Sequence, residues 1–224
     1  MIGQALGQVL SQAIAIAISP LPVILVIVVL FSRRAMTNAA AFLAGWAVGV
    51  LGVFLIASAV VDSASDDTGP SDTQGVIQVV LGLLFLALAV RQWRSRPAPG
   101  TTPEPPAFLA KVETMGPGAA AGLALVFTVA NPKNLPLLIS AGADAGQFGL
   151  DAGDLVVVAV VFLLITMIGV AAPVVLTLAL GERAEGILHS WQDWLSHNNN
   201  TVMLVLFAVL AFKMLGSGIA ALSA

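Results

Sequence analysis

Six stretches of the chain are long and predominantly apolar, and short polar segments separate them. A helix needs about 20 mostly apolar residues to cross roughly 30 Å of hydrocarbon, so each stretch is predicted to be a transmembrane helix. Continuous runs of Leu, Val, Ile, Ala and Gly favour helices over membrane strands, in which polar and apolar residues alternate. The predicted spans run from Gln4 to Phe31, Asn38 to Val61, Gln74 to Val90, Gly116 to Ala141, Asp154 to Leu180 and Thr201 to Leu222.

The composition supports this prediction and excludes several classes of protein. Of 224 residues, 58% are hydrophobic and 9% charged, against about 25% charged in soluble domains. We therefore predict an all-α integral membrane protein. A net charge of -3 gives no basic surface for nucleic acid, so no nucleic-acid partner is expected. The chain has no cysteine, which excludes thiol nucleophiles and thiol redox relays.

The basic residues between the spans predict the orientation. They follow the first, third and fifth spans, whereas loops 62–73 and 142–153 carry acidic residues but no Lys or Arg. By the positive-inside rule, both termini are predicted to lie outside the cytoplasm. The residues that decide this are Arg33, Arg34, Arg94, Arg96, Lys111 and Arg183.

Two segments outside the spans have patterns of their own. Five prolines between Arg94 and Pro106 predict an extended cytoplasmic linker. Apolar residues at helical spacing predict a short surface helix over Phe108–Met115, which is either a lid or a membrane anchor, and another over Gly186–Leu195. The predicted domains are residues 1–93, a linker with its surface helix over 94–115, and residues 116–224.

An internal repeat relates the two halves of the chain. Residues 84–91 (L-F-x-x-L-A-x-R) match residues 206–213 (L-F-x-x-L-A-x-K) at an offset of 122, and Pro20 and Pro132 lie 112 residues apart in the first and fourth spans. Each unit has three spans, so the second unit must be inverted in the membrane. Inverted repeats with interrupted helices are typical of secondary transporters. The alternative is a chance match of common apolar residues.

The interrupted helices supply the candidate site. Proline inside a helix removes a backbone hydrogen bond, which in hydrocarbon leaves polar groups in need of another partner. A lysine deep in the fourth span costs about 2.5–3.5 kcal/mol and is therefore interpreted as functional, although it could instead reach the interface. Arg91 and Lys213 are weaker candidates, with membrane anchoring as the alternative. The predicted helix-break or hinge residues are Pro20, Pro22, Pro132 and Pro136, and the predicted substrate-binding residues are Ser19, Asn131, Lys133 and Asn134.

Absent motifs narrow the chemistry. No Asp or Glu lies in the interior of a predicted span, so a carboxylate relay or a divalent-metal site in the membrane is not expected. Nucleotide-binding G-x-x-x-x-G-K-[ST], H-E-x-x-H and G-x-S-x-G motifs are also missing from the sequence. We expect no enzymatic activity, no metal and no cofactor.

Three segments carry a family resemblance: residues 19–22 (S-P-L-P), 38–46 (N-A-A-A-F-L-A-G-W) and 131–135 (N-P-K-N-L). Together with the six-span pattern they resemble the lysine-exporter (LysE) superfamily, and within it the actinobacterial peptidoglycolipid-addressing, or Sap sulfolipid-addressing, family. The resemblance covers essentially the whole chain and implies a bacterial cytoplasmic-membrane exporter. Amino acids or cations are the substrates in several branches, and envelope glycolipids in the addressing branch. The matching site positions are Pro20, Pro22, Asn131, Pro132 and Lys133.

The sequence thus favours a secondary transporter that exports an amphipathic or anionic small molecule or a cell-envelope lipid. In this hypothesis Lys133 attracts an anionic group and the amides hydrogen-bond it, and Lys133→Ala reduces export without affecting folding. Two alternatives stay open: a membrane scaffold for an envelope-lipid assembly complex, and an exporter of amino acids. The expected partners are membrane lipids and the substrate, and the oligomeric state is left open, with a homo-oligomer as one alternative.

Overall fold

The computed structural model describes residues 1–64, 72–95 and 114–223, and within these ranges every regular element is helical. This agrees with the predicted all-α class. The helices are α1 (Ile2–Ala17), α2 (Pro20–Leu30), α3 (Ala35–Ala64), α4 (Asp72–Arg94), α5 (Pro117–Val129), α6 (Asn134–Gly146), α7 (Ala152–Leu180) and α8 (Ala184–Leu222), with a 3-10 turn over Gly181–Arg183. Most of the predicted linker and of the surface helix over Phe108–Met115 lies outside the described residues.

Several helical stretches are long and apolar enough to cross a membrane. In the described part of the chain these are Ala35–Asp62, Gly75–Arg94 and Ala152–Leu222. Two bent pairs, α1 with α2 and α5 with α6, pass the same test together, which makes five stretches when each pair is counted as one span. The long apolar helices are consistent with a membrane protein. Six spans would require α7 and α8 to cross separately.

The first bent pair is interrupted where two prolines follow a serine. Pro20 and Pro22 have no N–H to donate to the carbonyls four residues earlier, so α1 cannot continue through them. Ser19 is extended, with φ −70° and ψ 118°, and Pro20 becomes the first residue of α2. The axes of α1 and α2 differ by 52°.

The second bent pair is interrupted around Pro132, between Val129 and Asn134. Asn131 Oδ1 accepts a hydrogen bond from the Lys133 backbone N–H at 2.9 Å. Such a local side-chain bond competes with the helical pattern. The axes of α5 and α6 differ by 70°, so the helices are interrupted at both positions where the sequence predicts it.

Helices α4 and α8 form an antiparallel pair. Phe85 stacks on Phe207 with ring centroids 5.9 Å apart, and seven residues further along α4, Gln92 Nε2 donates to Asn200 Oδ1 at 2.5 Å. Contact positions therefore rise along α4 as they fall along α8. The two phenylalanines occupy matching positions in the predicted repeat.

The other helices pack across the two halves of the chain. Helix α3 contacts α5 and α6, α7 contacts α1 and α2, and α3 and α7 contact each other. Small residues permit the closest approaches: Gly45 of α3 faces the backbone of Ala121 in α5, and Gly169 of α7 faces the carbonyl of Ala17 in α1. The packing brings the two helix breaks together.

Helix α8 differs from the sequence-based expectation. It is continuous over 39 residues, so the predicted surface helix Gly186–Leu195 is its first part and not a separate helix. The polar run that follows does not interrupt it, and within this run Asn198 Nδ2 donates to the Trp194 carbonyl one turn earlier at 2.8 Å. Trp191 and Trp194 are 39% and 58% exposed.

Candidate functional site

Both helix breaks border one cavity of about 480 Å³. Its wall includes Ser19 from the first break, and Asn131 and Pro132 from the second. These residues are distant in sequence, so the packing of the two halves is what brings them to one place. Pockets for small ligands usually measure about 300–1,000 Å³, and this cavity falls within that range.

Ser19 borders this cavity and carries a buried hydroxyl group without a partner. It caps the N-terminus of α2, its side chain is buried, and its Oγ has no hydrogen-bond partner. A buried polar group without a partner costs about 1–3 kcal/mol. A ligand that offers a hydrogen-bonding group here would recover part of that cost.

The charge on the cavity wall comes from α4. Arg91 lines the cavity and is exposed, and it is joined there by Gln92, Ser95 and, from α8, Asn199. From the sequence alone, Arg91 is a weaker candidate than Lys133, and the other three residues are not identified. The signal for Arg91 was its place in the internal repeat, whereas no motif marks Gln92, Ser95 or Asn199.

The remaining wall is apolar, so the cavity offers a ligand both polar and apolar surface. Helices α2, α4, α5 and α8, which surround the breaks, supply these apolar wall residues. A ligand with a polar group and an apolar part matches this combination. The apolar residues include Leu21, Leu88, Val126, Phe127, Met203 and Phe207.

Lys133, the predicted substrate-binding cation, does not lie on the cavity wall. Its side chain is 0% exposed, and Nζ donates to the carbonyl oxygen of Ala15 at 2.5 Å. In an uninterrupted α1 this carbonyl would accept from the Ser19 N–H. That N–H instead binds the Ile16 carbonyl at 3.1 Å. Lys133 therefore supplies the donor that the first break removes.

Asn134 is also buried away from the cavity. It is the first residue of α6, and its Nδ2 reaches the Phe127 carbonyl at 3.5 Å. Its Oδ1 has no hydrogen-bond partner. Asn134 thus lies between the second break and the end of α5, and it does not face the space where a ligand would bind.

Three of the eight predicted site residues line the cavity. The other five lie next to the breaks but not on the wall. Their predicted roles in binding and as hinges stay predictions. These five are Pro20, Pro22, Lys133, Asn134 and Pro136.

A second polar cluster joins α1, α6 and α8 outside this cavity. Gln12 Nε2 donates to Asp144 Oδ2 at 2.7 Å, and Lys213 Nζ donates to Gln12 Oε1 at 3.4 Å and to Ser11 Oγ. Asp144 lies in α6 and not in the predicted loop 142–153, because this helix continues to Gly146. The part of the chain that the structure describes has no group of three or more His, Asp and Glu able to hold a metal ion.

A comparison with models of protein families shows to which family the chain belongs. The family model described as Sap, sulfolipid-1-addressing protein, matches residues 9–220. The chain belongs to this family. The match confirms the addressing-family part of the resemblance, and it includes both helix breaks and every residue of the Sap-family cavity described above. Comparisons with curated proteins and with solved structures gave no match.

Proposed function

We propose that this Sap-family protein is a multi-pass secondary transporter of the bacterial cytoplasmic membrane. It exports an amphipathic or anionic small molecule, or a cell-envelope (glyco)lipid. The observation that carries this proposal is a cavity bordered by both helix breaks, whose wall combines Arg91 and amide side chains with apolar residues. Interrupted helices at corresponding places in two halves are the usual construction of a transporter binding site.

An inverted repeat of six spans is part of the proposal. In it, α7 and α8 cross the membrane separately, as do α3 and α4. The antiparallel contact between α4 and α8 supports this arrangement, because Phe85 and Phe207 are repeat-equivalent and stack on each other. The packing of α3 on α5 and that of α7 on α1 are repeat-related contacts, because α3 corresponds to α7 and α5 to α1.

Orientation in the membrane follows from the basic residues. Arg33, Arg34 and Arg183 stand at the ends of α2 and α7, and Phe31 stacks on His189 of α8 with ring centroids 4.5 Å apart. These ends therefore belong to one side of the bundle. With this side in the cytoplasm, both termini lie outside it.

The cavity residues suggest how an amphipathic anion would be held. Arg91 would bind the anionic group through charge-assisted hydrogen bonds, which are stronger than neutral ones. Ser19, Gln92 and Asn199 would hydrogen-bond neighbouring polar groups, and Phe207 would pack on the apolar part. The name of the family refers to a sulfolipid, which has this combination of an anionic head and apolar chains. Rocking of one half against the other would then expose the cavity to the opposite side.

A scaffold for envelope-lipid assembly is the second candidate. It is favoured by the exposed Trp191 and Trp194 in the first part of α8, since exposed tryptophans are common at protein interfaces. A scaffold would need a partner protein before any lipid moved, whereas a transporter acts alone. An exporter of amino acids is a third alternative, for which the large apolar wall has no evident use.

Reconstitution of the purified protein in vesicles separates these alternatives. A fluorescent sulfated glycolipid in one leaflet is the probe, and its movement is followed by chemical quenching from outside. We expect movement without any partner, and about tenfold less in Arg91→Ala, since every 1.4 kcal/mol of binding is a factor of ten. Arg33→Ala, which removes an exposed cation outside the cavity, is the matched control. Movement that appears only after a partner protein is added would favour the scaffold.

A further inference from the structure

In the second polar cluster, one glutamine links three helices through hydrogen bonds. Gln12 of α1 donates to Asp144 of α6 through its amide N–H, and accepts from Lys213 of α8 through its amide oxygen. Gln12 and Asp144 are 2% and 5% exposed, whereas Lys213 is exposed at the surface between α8 and α1. One negative and one positive side chain are thus connected through a neutral amide.

Lys213 is the repeat counterpart of Arg91. Both end the matching segments 84–91 and 206–213. Arg91 lies in the open cavity, beside Gln92, which is bonded to Asn200 of α8. Lys213 follows thirteen residues later in α8, roughly 20 Å along the helix axis at 1.5 Å per residue. The two cations therefore lie at different depths, with Phe207 between Asn200 and Lys213 along α8.

The environments of these two cations differ in one decisive respect. Around Arg91 the helices leave a cavity of about 480 Å³. Beside Lys213, the buried side chains of Gln12 and Asp144 link α1, α6 and α8 through hydrogen bonds. An internal carboxylate thus takes the position, relative to Lys213, that an anionic ligand would take beside Arg91.

We propose that Lys213 is a second anion-binding position, and that in this conformation Asp144, linked to it through Gln12, takes the place of the anion. The ligand class is a sulfate, sulfonate, phosphate or carboxylate group. This inference rests on the proposed transport function, in which the substrate leaves by the side opposite the Arg91 cavity. Opening would separate Asp144 from Gln12 and present Lys213 to the departing anionic group.

The absence of cysteine makes this proposal directly testable. Ser11→Cys places a single thiol beside Lys213, and an impermeant, negatively charged methanethiosulfonate reports access to it from each side of sealed vesicles. We expect slow labelling in the otherwise unchanged protein. Adding Asp144→Asn should raise the rate about tenfold from the side opposite the Arg91 cavity, since losing a charge-assisted bond of about 1.4 kcal/mol changes the equilibrium by that factor.

Further variants keep the test decisive. Gln12→Ala removes the bridge without changing either charge, so it should also raise the rate if Asp144→Asn fails to fold. The labelling rate of a positively charged methanethiosulfonate should rise less than that of the negative reagent. Replacing Lys213 by Gln should abolish this difference. The proposal would be overturned if neither Asp144→Asn nor Gln12→Ala changed the labelling rate. It would also be overturned if the rate rose equally for the negative and the positive reagent. Labelling needs no transport, so a lack of lipid movement with the expected labelling would contradict only the transport function.

Discussion

The two helix breaks are built in different ways, although they border the same cavity. The second break is completed locally, because Asn131 accepts from the backbone N–H of Lys133 two residues later. The first break depends on the other half of the chain: Lys133 donates to Ala15, and Gly169 makes room for the Ala17 carbonyl. Similar proline-containing segments thus receive different kinds of support. The prolines interrupt both helices locally, but the first break gains a donor for its free carbonyl only when the two halves are assembled.

The largest effect is expected for Lys133→Met. This change leaves the buried Ala15 carbonyl without its donor, and should lower the free energy of unfolding by about 3 kcal/mol. Denaturation of the purified protein in detergent, followed by tryptophan fluorescence, measures it. Arg33→Met, which removes an exposed cation, is the control and should change little. Unchanged stability in Lys133→Met would contradict the role of this lysine as the donor to the Ala15 carbonyl. This predicted loss of stability differs from the sequence-based expectation that removal of Lys133 does not affect folding.

A smaller loss of stability, about 2 kcal/mol, is expected for Gly169→Ala. A methyl group there would overlap the Ala17 carbonyl, and backbone atoms at the end of α1 cannot move aside as a flexible side chain can. Gly122→Ala in α5 is the matched control, because a methyl group there meets open space. The same denaturation measurement applies, and equal behaviour of the two variants would show that α7 does not support the first break.

The smallest effect is expected at the second break. Asn131→Ala removes one local hydrogen bond, so the loss should be about 1 kcal/mol. Asn131→Asp keeps an acceptor oxygen for the Lys133 N–H and should retain most of the stability that Asn131→Ala loses. If Asn131→Ala cost more than Lys133→Met, the ranking of long-range over local support would have to be reversed.

Much of this architecture could be predicted from the sequence. Long apolar stretches predict membrane-type helices, and prolines predict both breaks, since a missing N–H acts locally wherever the segment lies. The match of residues 84–91 with 206–213 anticipates the stacking of Phe85 on Phe207. Each of these inferences depends on near neighbours in the chain or on a repeated pattern.

The composition of the site could not be predicted in the same way. A lysine in an apolar span indicates function, but its partner, the carbonyl of Ala15, is 118 residues away and has no sequence signature. Asp144 is predicted to lie in a loop because the predicted fourth span ends at Ala141, whereas α6 continues to Gly146. Gln92 and Asn199 reach the cavity only through the packing of α4 on α8. Tertiary contacts decide which polar residues face the ligand.

One measurement tests most directly whether both breaks serve a single binding cavity. Ser19→Cys and Ala130→Cys each place one thiol on the cavity wall, one at each break, in a chain with no other cysteine. Labelling by a maleimide is followed in nanodiscs while a single-chain sulfated glycolipid is added. The account predicts that both thiols are protected, with the same half-maximal concentration of glycolipid. Protection of one thiol without the other, or of neither, would contradict it.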